Sequence, residues 1–309
     1  MILIKSPGMS LPVIDIKNLT KRYGKARGIE SVSLSISEGE IFGFIGPNGA
    51  GKSTTIRLLL NLIFPTSGSA SILGMDMISQ TKEIKKHLGY VPSEASAYSS
   101  MTVNEFLDYS GRFYGAVSAN ERKLMMCDLF ELDLKRKLAD LSTGNKRKVA
   151  IVQSLLHSPR LLIVDEPTTG LDPLIQARFF DLLREENKKG LTIFYSSHVL
   201  SEIQMLCGRV AIIRDGRIVK VEEIETLRRK QLKRVTVEME GGASQRLSGL
   251  KGVRDFNLSF NNSANFMFSG DVNELLTLLE GTKLLNLTIE EPPLEEIFMH
   301  YYNNNGNRV

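Results

Sequence analysis

The sequence is poor in features that would place it in an oxidising compartment or within a membrane. Only two cysteines, Cys127 and Cys207, are present, far apart. No disulfide framework or zinc spacing follows, and a reducing compartment fits best. No apolar run approaches the roughly 18 residues that a membrane span needs. The opening stretch Met1-Ile2-Leu3-Ile4-Lys5-Ser6-Pro7-Gly8 is too short in apolar residues to read as a signal peptide. If the protein serves a membrane process, another chain is expected to supply the membrane part. Charge of one sign is also scarce, with a net charge of +4 over 309 residues. Nucleic-acid binding calls for a clustered basic face, and no nucleic-acid partner is expected. The clusters Arg228-Arg229-Lys230 and Lys233-Arg234 follow glutamates and lack aromatics, so they read as the solvated face of a charged helical connector over Glu222 to Arg234. No internal repeat stands out. The remainder is ordinary for a globular chain, 42% hydrophobic and 24% charged. The length suits two domains.

The chain is organised around Gly46-Pro47-Asn48-Gly49-Ala50-Gly51-Lys52-Ser53, with Thr54 following. It fits Gly-x-x-x-x-Gly-Lys-Ser/Thr without a gap. Ile41 to Ile45 before it reads as a buried strand, and Ile56, Leu59, Leu60 and Ile63 after it have helical spacing. Strand, glycine-rich loop and helix together make a phosphate cradle. Glycines let successive N–H groups turn inward, and the helix N-terminus adds partial positive charge. Lys52 is then expected on the β- and γ-phosphates, and the Ser53 hydroxyl on Mg²⁺.

Ahead of this loop, Pro12 to Leu19 and Val32 to Ile36 alternate as strands of an antiparallel sheet. Tyr23, about twenty residues before the loop, could stack on a purine ring, and reads equally as a surface aromatic at a strand end. Behind the loop come a strand at Gly68 to Leu73, a helix at Ile78 to Lys86 and a strand at Leu88 to Val91. Helices follow at Thr102 to Tyr114 and Ala119 to Leu132. Thr102 with Glu105 makes a capping box. These helices interrupt the βα core and suggest a separate lobe.

Leu141-Ser142-Thr143-Gly144-Asn145-Lys146-Arg147-Lys148 opens another helix, running to about His157. Leu161 to Val164 is an apolar strand that ends in Asp165-Glu166-Pro167. A carboxylate at such a strand end suits a metal shell, which is the role expected of Asp165. Glu166, pointing the other way if the strand continues, could act as general base toward the attacking water. Leu191 to Ser196 is a further strand, followed by Ser197-His198. A histidine there could bond a γ-phosphate and the water, although a lone histidine is more often structural. Asp215-Gly216 between two apolar runs signals a hairpin.

From Val235 the pattern changes. Phe256, Leu258 and Phe260 face Phe266 and Phe268 across Asn261-Asn262-Ser263, a hairpin pattern. Val272 to Leu279 reads as a helix, Leu284 to Ile289 as a strand, and Pro293 to Tyr302 as a final helix. This is a small α+β domain.

Taken together and in this order, the motifs resemble the nucleotide-binding subunit of ATP-binding cassette (ABC) transporters, over roughly residues 12–230. Tyr23 matches the family's adenine-stacking aromatic, Gly46 to Thr54 its Walker A loop, and Leu161 to Glu166 its Walker B strand with the catalytic glutamate. Leu141-Ser142-Thr143-Gly144 resembles the signature motif, Gly170-Leu171-Asp172 the D-loop, and His198 the switch histidine. The resemblance implies a P-loop NTPase core of α/β class with an antiparallel β subdomain and a helical lobe at about 95–158. A small α+β domain at 233–302 and a flexible tail at 303–309 complete the expected organisation.

The implied activity is ATP hydrolysis with ATP and Mg²⁺, driving transport through a separate permease. Glu166, His198 and Lys52 would be catalytic, and Ser53 and Asp165 would hold the metal. The resemblance also implies a second cassette, as a homodimer or a pair. Ser142 and the Gly144 N–H would cap the nucleotide held by the partner. Pro292-Pro293-Leu294-Glu295-Glu296-Ile297-Phe298 resembles the closing segment of cassettes from ABC-2 type exporters. That implies an ABC-2 type permease and a peripheral position at the cytoplasmic face of the cell membrane. The alternative is a soluble ABC-type ATP switch with slow hydrolysis and no permease.

Two stretches depart from the family pattern. Ser93 stands where a glutamine is usual after Gly89-Tyr90-Val91-Pro92 and is too short to reach the metal as glutamine does, so Glu94 could substitute for it or a water could bridge. In the signature stretch Thr143, Asn145 and Lys146 replace a glycine, a glutamine and its usual neighbour while Ser142 and Gly144 are kept, and the threonine is expected to cost backbone freedom if φ is positive. Lys146-Arg147-Lys148 reads as exposed helix charge or as a positive field near phosphate.

Overall fold

The computed structural model describes residues 12–24, 26–94, 100–114, 119–229, 233–240, 245–259 and 263–290. The chain divides into two compact units, Met1–Glu222 and Glu223–Val309.

The first unit holds two sheets. β1 (Ile14–Tyr23) and β2 (Ala26–Ile36) pair antiparallel, as their alternation demands. β3 (Ile41–Ile45) leads into α1 (Lys52–Leu59). β4 (Ser67–Ile72) and β5 (Met75–Asp76) complete the antiparallel sheet, in the order β2-β1-β4-β5. α2 (Thr81–Lys86) is shorter than its sequence pattern suggests, because residues 78–80 belong to a turn held by Asp76. β6 (Leu88–Val91) follows.

The helical segment comprises α3 (Val103–Phe113), α4 (Ala119–Leu129) and α5 (Thr143–Leu155). The capping box is present: the Glu105 amide donates to Thr102 Oγ1 at 3.2 Å, and the Thr102 amide donates to Glu105 Oε2 at 2.8 Å. The unit closes with β7 (Leu161–Asp165), α6 (Pro173–Lys188), β8 (Thr192–Ser197), α7 (Leu200–Leu206), β9 (Arg209–Arg214) and β10 (Arg217–Glu223).

The second sheet runs β10-β9-β3-β8-β7-β6. β3, β8 and β7 are mutually parallel and lie at its centre. β7 and β8 are buried along their whole length, which is why β7 is a near-continuous apolar run and β8 does not alternate. Phe42, Phe44 and Phe194 pack together in this core at ring separations of 5.2 to 6.3 Å. The β9–β10 hairpin turns at Asp215 (φ 51°) and Gly216 (φ 77°), the two positive angles of a type I′ turn.

The second unit contains α8 (Ile224–Arg229), β11 (Lys233–Met239), α9 (Gln245–Ser248), β12 (Val253–Ser259), β13 (Ser263–Phe268), α10 (Val272–Leu279) and β14 (Leu284–Glu290). From β11 onward this is βαββαβ, with antiparallel order β12-β13-β11-β14, the ferredoxin-like arrangement. Val235, Val237, Phe266, Phe268, Leu275 and Leu279 form its core.

One expectation is corrected. The charged stretch Glu222 to Arg234 is not a single helical connector: Glu222 and Glu223 end β10, the helix stops at Arg229, and Lys233-Arg234 open β11. Alternation from Lys233 to Met239 buries one face of a strand, and that burial outweighs the helical propensity of the charges. Lys230, the turn residues Asn261 and Asn262, residues 95–99 of the lobe, the 293–302 helix and the 303–309 tail lie outside the described residues.

Candidate functional site

The parallel sheet gathers the chemistry at one edge. Ile45 is in register with Ser197, and Asp165 with Ser196. The segments that leave the carboxyl ends of β3, β7 and β8 are therefore neighbours, although they are far apart in sequence. The crevice outside those strand ends is where open α/β sheets bind ligands. β6, paired with β7, adds Pro92, Ser93 and Glu94 to the same edge.

The loop from Gly46 to Gly51 depends on its glycines at two places. Gly51 has φ 111°, a conformation that side chains resist. A Cβ on Gly46 would sit 2.3 Å from the Ile213 carbonyl oxygen. The loop is braced from outside: the Gly216 amide donates to the Ala50 carbonyl at 2.9 Å. Its concave side borders a cleft of 570 Å³ lined by Asn48, Gly49, Gly51, Lys52, Ser53 and Thr54, with Ser93, Glu94, Glu166 and Thr169 opposite. Gly28 of β2 also lines it, and the Tyr23 ring lies against Gly28. Tyr23 is 40% exposed, with Lys21 Nζ 5.4 Å from its ring centroid.

Lys52 is buried in the loop. Its ammonium donates to the carbonyls of Gly46 (2.7 Å) and Pro47 (3.2 Å) and pairs with Glu166 Oε1 at 3.2 Å. Glu166 does not continue the strand. It has φ 48°, and its amide donates to the Ser196 carbonyl at 3.0 Å. This left-handed turn directs its carboxylate to both neighbours, for Oε2 lies 3.3 Å from His198 Nδ1. Asp165 is 2% exposed. Burial pushes its carboxyl pKa up, while hydrogen bonds from Ser53 and Ser196 pull the other way.

Ser142 and Gly144 are not brought to this cleft. They begin α5, where Ser142 Oγ accepts the Asn145 amide at 3.3 Å. Gly144 abuts the loop after β7: an added Cβ would stand 2.6 Å from the Gly170 carbonyl oxygen. Thr143 takes ordinary helical backbone and has no positive φ, so the expected strain at that position is absent.

Arg147 corrects the reading of its triplet as exposed charge. It is 6% exposed, and its guanidinium donates to the carbonyls of Pro92 and Ser93. Burial lowers its pKa, with Asp165 and Glu166 opposing. The signal was available in the sequence, since Arg147 shares a helical stripe with Ile151, Ser154 and Leu155. Sequence reading also passed over Ser196, Thr168 and Glu202. The last is a carboxylate set among the buried residues Leu200, Ile203 and Leu206 of α7.

The site so described can hold an anion in the loop, a cation at Ser53 and Asp165, and a water beside Glu166. Residues 29–169 match the ABC transporter family. The chain is similar to the Nod factor export ATP-binding protein I of Rhizobium meliloti, 30% identical over 93% of this chain and 87% of that protein. It is also similar to the bacitracin transport ATP-binding protein BcrA of Bacillus licheniformis, 31% identical over 93% of this chain and 96% of the other. Among solved structures, an ATP-binding cassette dimer in a post-hydrolysis state with ADP and phosphate matches with a TM-score of 0.63. The two are 27% identical over 68% of this chain and 98% of the other.

Proposed function

This chain belongs to the ABC transporter family as an ATP-binding, ATP-hydrolysing subunit of the exporter type, and from that premise we propose how its residues divide the work. The amides of the loop from Gly46 to Thr54, with Lys52, take the phosphates, and Tyr23 stacks on the adenine. Ser53 and Asp165 are the residues that would hold Mg²⁺. The fit is supported by the donor set, a buried carboxylate on Asp165 with the Ser53 hydroxyl beside it. Bound there, the metal would neutralise charge on the phosphates. Glu166 is the general base, and His198 orients it and faces the terminal phosphate. Ser142 and Gly144 cap the nucleotide of a second cassette.

The assembly proposed is a homodimer on a separate ABC-2 type permease, peripheral at the cytoplasmic face of the cell membrane. Among the described residues no helix is long and apolar enough to cross a membrane. We assign residues 12–230 to the cassette and 233–302 to an accessory domain. The relatives carry transport names, which does not favour a permease-free switch.

The observation that carries the assignment of the base is that one carboxylate, Glu166, meets both Lys52 and His198. Glu166→Gln keeps the shape and removes the base. It is expected to lower kcat by about 100-fold or more and to leave ATP affinity within a few-fold. A Glu166→Gln protein hydrolysing ATP at the parent rate would refute the assigned base.

A further inference from the structure

Glu202 is a buried carboxylate, 7% exposed, with no part yet in the chemistry. Its Oε1 accepts the Thr168 hydroxyl at 2.5 Å. Its Oε2 accepts the Ser197 hydroxyl at 2.7 Å and the Tyr195 phenol at 3.0 Å. No ion pair reaches it among the described residues, so three hydroxyl donors compensate the burial of its carboxyl group. An acid in an apolar setting would be a poor choice for simple packing.

The three donors come from two different segments. Ser197 immediately precedes His198, and its hydroxyl also accepts the Val199 amide at 2.9 Å, which fixes the turn carrying the histidine. Thr168 lies two residues past Glu166. Its carbonyl accepts the Leu171 amide at 3.0 Å, which closes the turn toward Gly170. One side chain thus ties the histidine segment to the glutamate segment, beside the left-handed residue that joins strand to loop.

We propose that Glu202 is a positioning residue for hydrolysis, whose carboxylate clamps the Ser197–His198 turn to the Glu166–Gly170 segment and so holds the histidine against the glutamate. The proposal rests on the assignment of Glu166 and His198 above. It also makes the clamp a route by which a shift at Gly170, which faces Gly144 of α5, reaches His198.

A double-mutant cycle on the full chain tests it. In Glu202→Gln the amide nitrogen donates where a carboxylate oxygen accepted, so one hydroxyl must reverse and the charge that strengthens all three bonds is lost, at nearly constant volume. The expected result is a fall in kcat of about ten-fold with KM for ATP within two-fold, since sub-ångström misplacement is felt in the chemical step. The same change in a His198→Ala background is expected to have little further effect, because the two act through one geometry. Thr168→Val, which keeps the carboxylate and cuts one tether, is expected to do the same, and it carries the test if Glu202→Gln does not fold. Equal losses in both backgrounds, or a loss confined to KM, would overturn the proposal. If His198→Ala alone hydrolyses normally, the assignment of His198 fails instead, and the two failures are thereby separated.

Discussion

At the scale of single residues, burial without partners is the most informative signal, and His157 carries it outside the nucleotide site. Tyr114 stacks on its ring at 3.7 Å between centroids, and among the described residues neither ring nitrogen has a hydrogen-bond partner. Burial pushes its pKa down from 6.5 to about 4. Between these values the unfolded chain takes up a proton that the native state refuses, so stability is full above the unfolded pKa and is lost as pH falls. From pH 7.5 to 5.5 the loss due to this residue is expected to be about 1 kcal/mol. Urea unfolding of the parent and of His157→Leu at the two pH values measures it. The parent should lose more stability on acidification than the variant, and equal losses would mean that the imidazole charges without penalty in the fold.

At the scale of elements, α5 does two jobs with one helix. Its N-terminus presents Ser142, and one turn later Arg147 holds the carbonyls after β6. Those carbonyls belong to the segment whose Ser93 and Glu94 line the cleft. Arg147→Met leaves two carbonyls without their charged donor, which should cost roughly 1–3 kcal/mol. A lower melting temperature and a KM for ATP raised a few-fold are expected. Arg147→Lys should recover only part, since an ammonium lacks the two-pronged fork. An unchanged KM in a folded Arg147→Met protein would show that α5 does not govern that side of the cleft.

This helix also marks the limit of what composition and spacing reveal. The phosphate loop, Asp165, Glu166 and His198 were legible because parallel buried strands leave apolar runs that end abruptly in polar residues. The Asp215-Gly216 turn and the Thr102 cap were legible because their chemistry is local. Arg147 reads wrongly at first although its signal is present, because a charge among charges looks solvated until its helical stripe is traced through Ile151 and Leu155. Thr143 read as strained, but the helix begins there with negative φ. The left-handed turn at Glu166, which aims the carboxylate at Lys52 and His198, has no marker in the sequence. It arises from the amide pairing with Ser196 on the neighbouring strand.

At the scale of the molecule, the proposed division of work leaves the site of a single chain incomplete. The cleft holds Lys52, Ser53 and Glu166, while Ser142 and Gly144 stand on the lobe and do not line it. A helix N-terminus with a serine cap suits an anion, and the same chain's cleft does not present one to it. A head-to-tail pair of copies satisfies both halves at once and makes the nucleotide part of the interface, so association should require ATP. In the Glu166→Gln background, ATP is not consumed and the dimer should accumulate, as light scattering would register. Adding Ser142→Arg places bulk and an unpaired guanidinium where the partner's phosphates must approach. That double variant should remain monomeric with ATP while still binding nucleotide, because Ser142 does not line its own cleft. A double variant that dimerises with ATP as readily as Glu166→Gln alone would show that the lobe's helix end is not the surface that closes the pocket.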